Sequence, residues 1–239
     1  MPRALSEGYR EVVGMPILQA WGMTETSPIA SICREKSYLV DELSDDERAD
    51  LRASVGLVAT GVDFRVVDPE TLEERPWDGE SRGELQVAGP WIRCRADHAD
   101  ERSPQSFTPD GWLRTGDVAT VDPEGYIRLV DRTKDVIKSG GEWISSVELE
   151  NEIMAHPGVA EAAVIGLTHE KWGERPVACV VVAEGEDVSK EAILEFLDGR
   201  VAKWWLPDDV LFIEEVPKTS VGKFSKKDLR DRFGDHQLA

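Results

Sequence analysis

The sequence predicts an α+β protein of two domains, on three observations. Its 239 residues provide enough material for two modest domains, each with its own core. Short β-rich runs separated by turn signals at residues 55–89 predict a small subdomain that resembles a β-barrel or a sandwich. After residue 131, amphipathic helix patterns accompany apolar runs, which predicts helices beside a small sheet. The predicted domains are residues 1–130 and 131–239.

The chain is acidic, with 28 Lys and Arg residues against 47 Asp and Glu residues and a formal net charge of −19. Because phosphate backbones attract clustered basic residues, this charge argues against nucleic-acid and anionic-membrane partners, and solubility or adaptation to high salt explains it more simply. Cys33, Cys94 and Cys179 are far apart and form no C-x-x-C pair, which predicts neither a disulfide framework nor a zinc site. No run approaches a membrane span and no signal peptide opens the chain, so we expect a soluble, cytoplasmic protein.

The first candidate site is the loop W-G-M-T-E-T-S-P at residues 21–28. The apolar run Met15–Leu18 before it predicts a buried strand, and loops positioned by such strands often carry binding groups. The Thr24 hydroxyl can donate to a phosphate oxygen, and the Glu25 carboxylate is the kind of hard oxygen ligand that Mg²⁺ prefers. Taken alone, the loop is explained equally well as a solvated helix cap.

Turn residues organise the middle of the chain. Ser44 is placed to cap a short helix over Glu47. Asp110-Gly111 and Pro123–Gly125 predict turns, and the β-rich run Tyr126–Val130 completes a predicted hairpin.

Charge is concentrated immediately after this hairpin. Five charged residues fall within eight positions and precede the flexible loop Ser139-Gly140-Gly141. Because a connecting segment does not need such a density of charge, we interpret this region as the edge of a site. The charged residues are Asp131, Arg132, Lys134, Asp135 and Lys138.

Several of these segments together resemble the adenylate-forming superfamily of acyl-CoA synthetases, luciferases and peptide-synthetase adenylation domains. They are T-G-D at Thr115–Asp117, D-R-x-K-D at Asp131–Asp135 and S-G-G-E at Ser139–Glu142. The longer string S-G-G-E-W-I-S-S-V-E-L-E-N is similar to the fatty-acyl-CoA synthetases. The loop at 21–28 and the string P-K-T-S-V-G-K at 217–223 agree with that family in order. The resemblance covers almost the whole chain, which corresponds to the later, C-terminal portion of such an enzyme.

The resemblance implies a nucleotide site. It places Trp21 against the adenine, Thr24 on phosphate and Glu25 on magnesium. Asp117 would accept hydrogen bonds from the ribose hydroxyls from a position on a turn, and Arg132 would reach the ribose or phosphate with fixed donors. The alternative, a surface pair of Asp117 and Arg132, contributes little energy. The implied nucleotide-binding residues are Trp21, Gly22, Met23, Thr24, Asp117 and Arg132.

The resemblance also implies a mobile C-terminal lid that binds coenzyme A. Lys134 stands at the hinge, where a few residues absorb a large change of φ and ψ. Trp143 has two interpretations, either a core anchor for the next helix or an apolar wall beside the acyl and pantetheine channel. The implied coenzyme A residues are Lys138, Ser139, Gly140, Gly141 and Glu142.

The resemblance identifies Lys223 as the catalytic residue. An ammonium on a long stem can reach phosphate and carboxylate oxygens together, and in the family this lysine neutralises charge between the acyl carboxylate and the α-phosphate. Lys218, Lys226 and Lys227 lie in the same stretch, so the bare pattern also fits a solvated charged face.

Local patterns predict the elements of the second domain. Ser145 or Ser146 should cap a helix, and Ser189 should cap an amphipathic helix at 189–203. The apolar runs 159–167 and 176–183 predict buried strands. The string T-H-E-K-W-G-E-R between them reads as a loop, which the resemblance places beside the coenzyme A channel.

The resemblance implies a fatty-acid–CoA ligase that uses ATP, Mg²⁺ and coenzyme A. The family's phosphate-gripping loop should lie upstream of W-G-M-T-E-T, which only residues 1–20 precede, and no G-x-x-x-x-G-K-[ST] replaces it. An alternative is therefore a truncated, non-catalytic remnant, or a subunit of a split enzyme that needs an upstream polypeptide.

Overall fold

The chain divides into two compact units, Met1–Val130 and Asp131–Ala239. The predicted domains have the same bounds, and their assignment as the C-terminal part of a large domain and a C-terminal lid stays a prediction. None of the described helices is long and apolar enough to cross a lipid bilayer. The structure is a computed structural model, and it describes residues 3–92, 106–219, 222 and 224–236.

The first unit carries two sheets and short helices. Its three-stranded sheet has the order β1-β2-β3, and its four-stranded sheet has the order β4-β5-β6-β7. The elements in chain order are α1 (Arg3–Val13), β1 (Ala20–Trp21), a 3₁₀ turn (Thr24–Thr26), β2 (Ser31–Ile32), α2 (Ser37–Glu42), α3 (Asp45–Arg52), β3 (Leu57–Val58), β4 (Asp63–Val67), β5 (Gly83–Ala88), β6 (Leu113–Val121) and β7 (Ile127–Arg132).

The four-stranded sheet is open, so the predicted barrel-like subdomain is wrong for the described residues. The hairpin of β6 and β7 is present as predicted, and β4 pairs with β5 on the other side. Val55 donates its backbone N–H to the Ile127 oxygen at 3.0 Å, and Ile127 donates to the Gly56 oxygen at 2.9 Å. These bonds use the outer edge of β7, which therefore does not close onto β4.

Two local predictions in this unit have opposite outcomes. Ser44 caps α3, because its hydroxyl accepts the Glu47 N–H and the Glu47 carboxylate accepts the Ser44 N–H, which confirms the predicted capping box. The segment Met15–Leu18 forms no strand, and Met15 and Leu18 are 61% and 59% exposed. The buried strand predicted there is wrong, since pairing with a described strand begins only at Ala20.

The second unit is a sheet of five strands with helices against it. Its order is β10-β11-β8-β9, with β12 parallel to β11. The elements are β8 (Ile137–Ser139), β9 (Glu142–Ile144), α4 (Ser146–Met154), β10 (Val159–His169), β11 (Gly173–Val182), α5 (Lys190–Leu197), a 3₁₀ turn (Lys203–Trp205), β12 (Asp209–Phe212) and α6 (Lys226–Phe233).

The core of this unit forms where α4 and α5 pack on the sheet. One buried cluster contains residues that are each 0% exposed, namely Ile144, Leu149, Val164, Ile193 and Leu197. At about 25 cal/mol per Å² of apolar area, such burial is the main source of stability. The predicted α+β arrangement of helices beside a small sheet is confirmed.

Element ends depart from the sequence predictions in ways that local chemistry explains. Ser145 rather than Ser146 caps α4, since its hydroxyl accepts the Glu148 N–H at 3.1 Å. Ser189 caps α5 as predicted, but that helix ends at Leu197, before Gly199 with φ +77°. The string T-H-E-K-W-G-E-R is mostly strand, because β10 and β11 pair down to His169 and Gly173.

Candidate functional site

The loop between β1 and β2 is organised around one buried hydroxyl. Thr26 is 0% exposed, and its Oγ1 accepts the Met23 backbone N–H at 2.9 Å. The same Oγ1 lies 2.9 Å from the carbonyl oxygens of Met23 and Pro28. Because these contacts tie both ends of the loop together, its short 3₁₀ turn presents Thr24 and Glu25 to solvent.

Only glycine fits at position 22 of this loop. A Cβ atom built on Gly22 would lie 1.8 Å from the Pro28 carbonyl oxygen and 2.8 Å from its carbonyl carbon. The obstacle is backbone, which cannot rotate away as a side chain can. Gly22 is therefore needed for the close approach of the two sides of the loop.

Trp21 and Asp117, which are 96 positions apart in sequence, form a direct hydrogen bond. The indole Nε1 of Trp21 donates to Asp117 Oδ2 at 2.9 Å. Asp117 is 5% exposed, whereas Trp21 is half-buried against the core of the first unit. The structure thus brings together two of the predicted nucleotide-binding residues.

Asp117 lies within β6 and not on a turn, which corrects its predicted setting. Between the pairs Glu84–Val118 and Gln86–Arg114, β5 advances by two residues while β6 advances by four. The extra residues form a bulge in which Gly116 has φ +70°. Bulges of this kind redirect side chains and are common beside active sites. The sequence could not show the bulge because it depends on register with β5.

Thr115 fixes the bulge from within. Its Oγ1 donates to the Leu85 carbonyl oxygen at 2.7 Å and accepts the Asp117 backbone N–H at 3.1 Å. The three residues of the T-G-D string therefore have distinct roles. The Thr115 hydroxyl anchors the bulge, Gly116 takes the positive φ, and Asp117 provides the carboxylate that accepts the Trp21 hydrogen bond.

Arg132 and Lys134 lie in a tight turn that opens the second unit. The Arg132 carbonyl oxygen accepts the backbone N–H groups of Asp135 and Val136 at 2.9 and 2.8 Å. Asp131, which is 8% exposed, accepts the Arg132 N–H at 2.7 Å through Oδ1. The side chains of Arg132 and Lys134 are exposed. Arg132 and Asp117 belong to different units, and the binding of the nucleotide by both residues stays a prediction.

The predicted coenzyme A residues form the β8–β9 hairpin. Gly140 and Gly141 take the turn with φ +61° and +90°. The Gly140 N–H donates to the Trp172 carbonyl oxygen at 2.8 Å, and a Cβ on Gly140 would lie 2.9 Å from the Trp172 ring. Lys138 pairs with Trp143 across the hairpin, with its Nζ 5.7 Å from the indole centroid.

A pocket of about 340 Å³ opens beside this hairpin. Arg175 holds one side of it, because it donates to Ser139 Oγ at 3.1 Å, to Asp208 Oδ1 at 2.8 Å and to the Trp204 carbonyl oxygen at 2.8 Å. Trp172 and Trp204 are each 43% exposed at the pocket. The lining residues are Ser139, Gly140, Glu142, Trp172, Arg175, Trp204 and Asp208.

Four of these lining residues were not predicted as site residues. Trp172 and Arg175 lie in T-H-E-K-W-G-E-R. The resemblance places that string beside the coenzyme A channel, and this was the signal from which they could have been predicted. Trp204 and Asp208 come from a distant segment and had no signal in the sequence, and Arg175 contacts both of them beside the hairpin.

Trp143 and Ile144 occupy opposite faces of β9. Successive side chains along a strand point to opposite sides of the sheet. Ile144 is 0% exposed in the core cluster, whereas Trp143 is half-buried and outside that cluster. Ile144 therefore belongs to the core of this unit, and both interpretations of Trp143 stay predictions. The predicted catalytic residue, Lys223, lies outside the described residues.

Comparison with known proteins identifies the family. Residues 1–93 match the family model of the AMP-binding enzymes, and residues 148–223 match the model of the AMP-binding enzyme C-terminal domain. The chain belongs to the AMP-binding enzyme family. The resemblance to adenylate-forming enzymes is thereby confirmed.

Curated relatives of this AMP-binding enzyme are acyl-CoA ligases. The chain is 46% identical over 98% of its length to a 3-methylmercaptopropionyl-CoA ligase of Ruegeria lacuscaerulensis, 42% of which it covers. It is 47% identical over 98% of its length to a long-chain-fatty-acid–CoA ligase of Thermus thermophilus, 43% of which it covers. A medium-chain-fatty-acid–CoA ligase of Ectopseudomonas oleovorans is 41% identical. The chain thus spans about two fifths of the length of these relatives.

Solved structures agree with the family assignment. ATP-bound MatB from Rhodopseudomonas palustris superposes with a TM-score of 0.80 at 32% identity, over 98% of this chain and 44% of that one. The o-succinylbenzoate CoA synthetase MenE from Bacillus subtilis, in complex with its acyl-adenylate intermediate, gives 0.79 at 30% identity over 96% and 44%. The α+β fold is therefore that of adenylate-forming enzymes.

Proposed function

We propose that this AMP-binding enzyme chain supplies the nucleotide loop and the thioester-forming part of a fatty-acid–CoA ligase. Such an enzyme converts a carboxylic acid and Mg·ATP to an acyl-adenylate and diphosphate, and then transfers the acyl group to coenzyme A. The hydrogen bond between Trp21 and Asp117 carries the proposal, because it joins two separate family motifs at one buried carboxylate. The names of the relatives support the ligase class and a fatty-acid substrate.

In the first unit, the proposed nucleotide site is formed by Trp21, Gly22, Met23, Thr24 and Asp117. The bulge in β6 presents the Asp117 carboxylate, whose oxygens can accept hydrogen bonds from vicinal ribose hydroxyls. The indole bond to Trp21 orients that carboxylate while the ring offers a face to the adenine. Thr24, exposed on the loop, is available to donate to phosphate.

Glu25 is the proposed magnesium ligand. Its carboxylate is exposed on the same turn as Thr24, and a hard oxygen donor of this kind fits Mg²⁺. Magnesium is usually held by one or two carboxylates together with substrate phosphates, so one acidic residue beside a phosphate-binding hydroxyl fits the donor set. The ion would neutralise charge on the phosphates when bound.

In the second unit, we assign coenzyme A to the pocket beside the β8–β9 hairpin. Trp172 and Trp204 offer half-exposed rings, and stacking on aromatic rings binds purine bases well. Lys171 lies with its Nζ 4.5 Å from the Trp172 centroid, which places a cation beside this face in an otherwise acidic chain. Arg132 is a further proposed nucleotide-binding residue, and Lys134 is the proposed hinge. Lys223 is proposed to stabilise the charge that develops during adenylation.

Nucleotide binding by the purified chain tests the first-unit assignment. We expect Asp117→Asn to raise the Kd for AMP about tenfold or more, because hydrogen bonds to charged groups contribute about 1.5–3 kcal/mol. Trp21→Phe keeps a ring and removes the N–H, so its effect should be smaller. Asp110→Asn, in an exposed turn of the same unit, is the matched control. Equal Kd values for Asp117→Asn and Asp110→Asn in calorimetry would contradict the proposal.

Substrate class is tested by diphosphate release from ATP, Mg²⁺ and acids of graded chain length. The assay is run on the chain alone and again with the upstream polypeptide added. Faster release with long-chain than with short-chain acids is expected. Release that ignores fatty acids and responds only to aromatic or short acids would overturn the fatty-acid assignment.

A further inference from the structure

Helix α1 packs on the first unit through its polar side. Arg3 and Glu7 are four residues apart, so they lie on one side of the helix. Arg3 Nη1 pairs with Asp50 Oδ1 of α3 at 2.7 Å. The Glu7 carboxylate accepts two hydrogen bonds from Arg52 of α3, at 2.9 and 3.0 Å. Ser6, between them in sequence, is 1% exposed. These contacts fix which side of α1 packs against α3.

The opposite side of α1 is apolar and faces water. Val12 is nine residues from Arg3, and nine residues are about two and a half helical turns, which places the two on opposite sides. Tyr9, Val12 and Val13 have the i, i+3 and i+4 spacing of one helix face, and they are 45%, 87% and 44% exposed. A surface helix normally buries its apolar face and leaves its charges in water. The reversed arrangement of α1 indicates a further surface that covers its apolar face.

The segment that follows α1 is also apolar and exposed. Gly14 ends the helix with φ +75°, and its N–H donates to the Arg10 carbonyl oxygen at 2.8 Å. Met15 and Leu18 come next, at 61% and 59% exposed. The sequence predicts burial for this run, and the described residues do not provide it. The run and the apolar face of α1 therefore both indicate a covering surface over residues 9–18.

Charge argues against a lipid bilayer or a second copy of this chain as that surface. Helices that lie on membranes present a basic polar face to the headgroups, whereas Arg3 and Arg10 of α1 are paired with carboxylates. The chain has a formal net charge of −19, so anionic lipids repel it and two copies repel each other. These repulsions favour a different polypeptide, with an apolar surface of its own.

The relatives of this chain indicate which polypeptide this is. The chain matches two acyl-CoA ligases over 98% of its own length but covers only 42% and 43% of them, so more than half of each has no counterpart here. We propose that residues 9–18 dock a polypeptide that corresponds to this unmatched part of the ligases. The interface is separate from the proposed reaction, because it rests on the family assignment and on the contacts and exposure of α1.

Capture of a defined partner tests the interface. The probe is the unmatched part of the Thermus thermophilus long-chain-fatty-acid–CoA ligase, co-expressed with the tagged chain. The chain should retain this fragment through purification, and biolayer interferometry then gives the Kd. Val12→Asp should raise the Kd about tenfold or more, because it places a charge within an apolar contact. No retention by the parental chain would overturn the proposal.

The matched control is Val147→Asp. Val147 is also a helical valine with an exposed side chain, at 41%, and it lies on α4 of the second unit. This variant should bind the fragment as the parental chain does. Equal Kd values for Val12→Asp and Val147→Asp would overturn the interface at residues 9–18. Tyr9→Lys is the second variant on the same face, for the case in which Val12→Asp does not fold.

Hydrogen exchange locates the contact on the chain. The backbone N–H groups of α1 should exchange about tenfold more slowly in the complex, because a covered helix opens less often. Those of α4 should exchange at an unchanged rate. The Gly14 N–H, which closes the last turn on Arg10, reports on the end of the helix. Protection that appears elsewhere and leaves α1 unchanged would contradict the proposed docking surface.

Sedimentation of the chain alone tests the competing occupant. The chain should be a monomer whose mass Val12→Asp does not change. A dimer that Val12→Asp dissociates and Val147→Asp does not would show that a second copy covers α1, which would overturn the proposal.

None of these measurements needs ATP or a carboxylic acid, so the interface and the proposed reaction can fail separately. Capture of the fragment without diphosphate release would support the interface and count against the reaction. Diphosphate release by the chain without capture would leave the reaction standing and would remove the interface.

Discussion

The loop at residues 22–30 and the D-R-T-K-D string at residues 131–135 are both candidate functional segments, yet different contacts hold them. The loop is held by the neutral Thr26 hydroxyl and by the close backbone approach at Gly22. The string is held by carboxylates that reach Lys226 and Arg230 on a helix about a hundred positions away. Substitutions in the loop should therefore alter only the loop, whereas substitutions that change the charge around the string should also alter the helix that carries Lys226 and Arg230.

The comparison also divides the proposed chemistry between the units. The proposed role of Asp117 in the first unit is to orient substrate, whereas the proposed role of Lys223 in the second unit is to stabilise charge that develops during the reaction. Interactions that strengthen in the transition state have the larger effect on rate. We therefore expect a substitution of Lys223 to lower the rate more than a substitution of Asp117.

The largest effect is expected from Lys223→Ala. Because electrostatic stabilisation of a transition state commonly contributes several kcal/mol, adenylation should fall on the order of 10²-fold or more. ATP–diphosphate exchange measures it, with Lys227→Ala as the control on the same stretch. Adenylation at near the parental rate would contradict the catalytic role of Lys223 and the proposed division of the chemistry between the two units.

Gly22→Ala tests whether the first-unit loop depends on backbone approach. The added Cβ would meet the Pro28 oxygen at 1.8 Å, so the loop must move, at a cost of about 1–3 kcal/mol in unfolding free energy together with weaker nucleotide binding. Gly8→Ala is the matched control, because nothing lies within 4 Å of that position in α1. Alanine there should be neutral or stabilising. Similar unfolding temperatures for the two variants would show that the loop yields easily.

Trp143→Ala tests whether the second unit takes part in acyl and thioester chemistry. As an apolar wall, the indole would contribute roughly 25 cal/mol per Å² of buried area, and more area is buried by a longer acyl chain. The variant should lose kcat/KM for long-chain acids more than for short ones, with the KM for ATP nearly unchanged. An equal loss at every chain length, with a lowered unfolding temperature, would indicate a core role instead.

The smallest effects concern two carboxylates whose pKa values shift in opposite directions. Hydrogen bonds from the Ser81 backbone and side chain, and from the Glu80 backbone, lower the pKa of Asp78 to about 2. Burial raises the pKa of Glu150, against the opposing influence of Lys226. The two units therefore respond to pH with opposite sign at these sites.

The stability that Asp78 contributes is fully present above its unfolded pKa, about 3.9, and is lost as pH falls through the folded value. The raised pKa of Glu150 contributes stability below the unfolded value of about 4.3, and this is lost as pH rises through the folded pKa. NMR titration of the two carboxyl carbons measures both, and Ser81→Ala should raise the pKa of Asp78 alone. Shifts of the same sign at both sites would contradict this comparison.

Features that depend on neighbouring residues, such as helix caps and the β6–β7 hairpin, were predictable from sequence, and features that depend on contacts between distant segments were not. The caps Ser44 and Ser189 need only a hydroxyl and the helix that follows, so their patterns sufficed. The open sheet depends on bonds between Ile127 and residues 55–56, which no local pattern reveals. The setting of Asp117 likewise depends on register with β5. Motif chemistry located that residue but could not give its geometry.

The same limit applies to the pocket of the second unit. Gly140 was singled out for its freedom of backbone, which the turn uses. Its contact with the Trp172 ring is a second reason for glycine there, and it becomes visible only when β8 and β11 lie side by side. Arg175 was missed because its partners come from two segments, at residue 139 and at residues 204–208, that are distant from it in sequence.

The contrast between Lys226 and Lys227 has a use in chemical footprinting. An amine-reactive reagent must reach a free, solvated amine, and the enclosed Nζ of Lys226 is shielded by Glu150 and Ser146 while Lys227 is exposed. Mass spectrometry of the labelled peptide should therefore find modification at Lys227 and little at Lys226. Labelling of Lys226 would signal that α6 has separated from its partners, which makes this adjacent pair an internal reporter that needs no substitution.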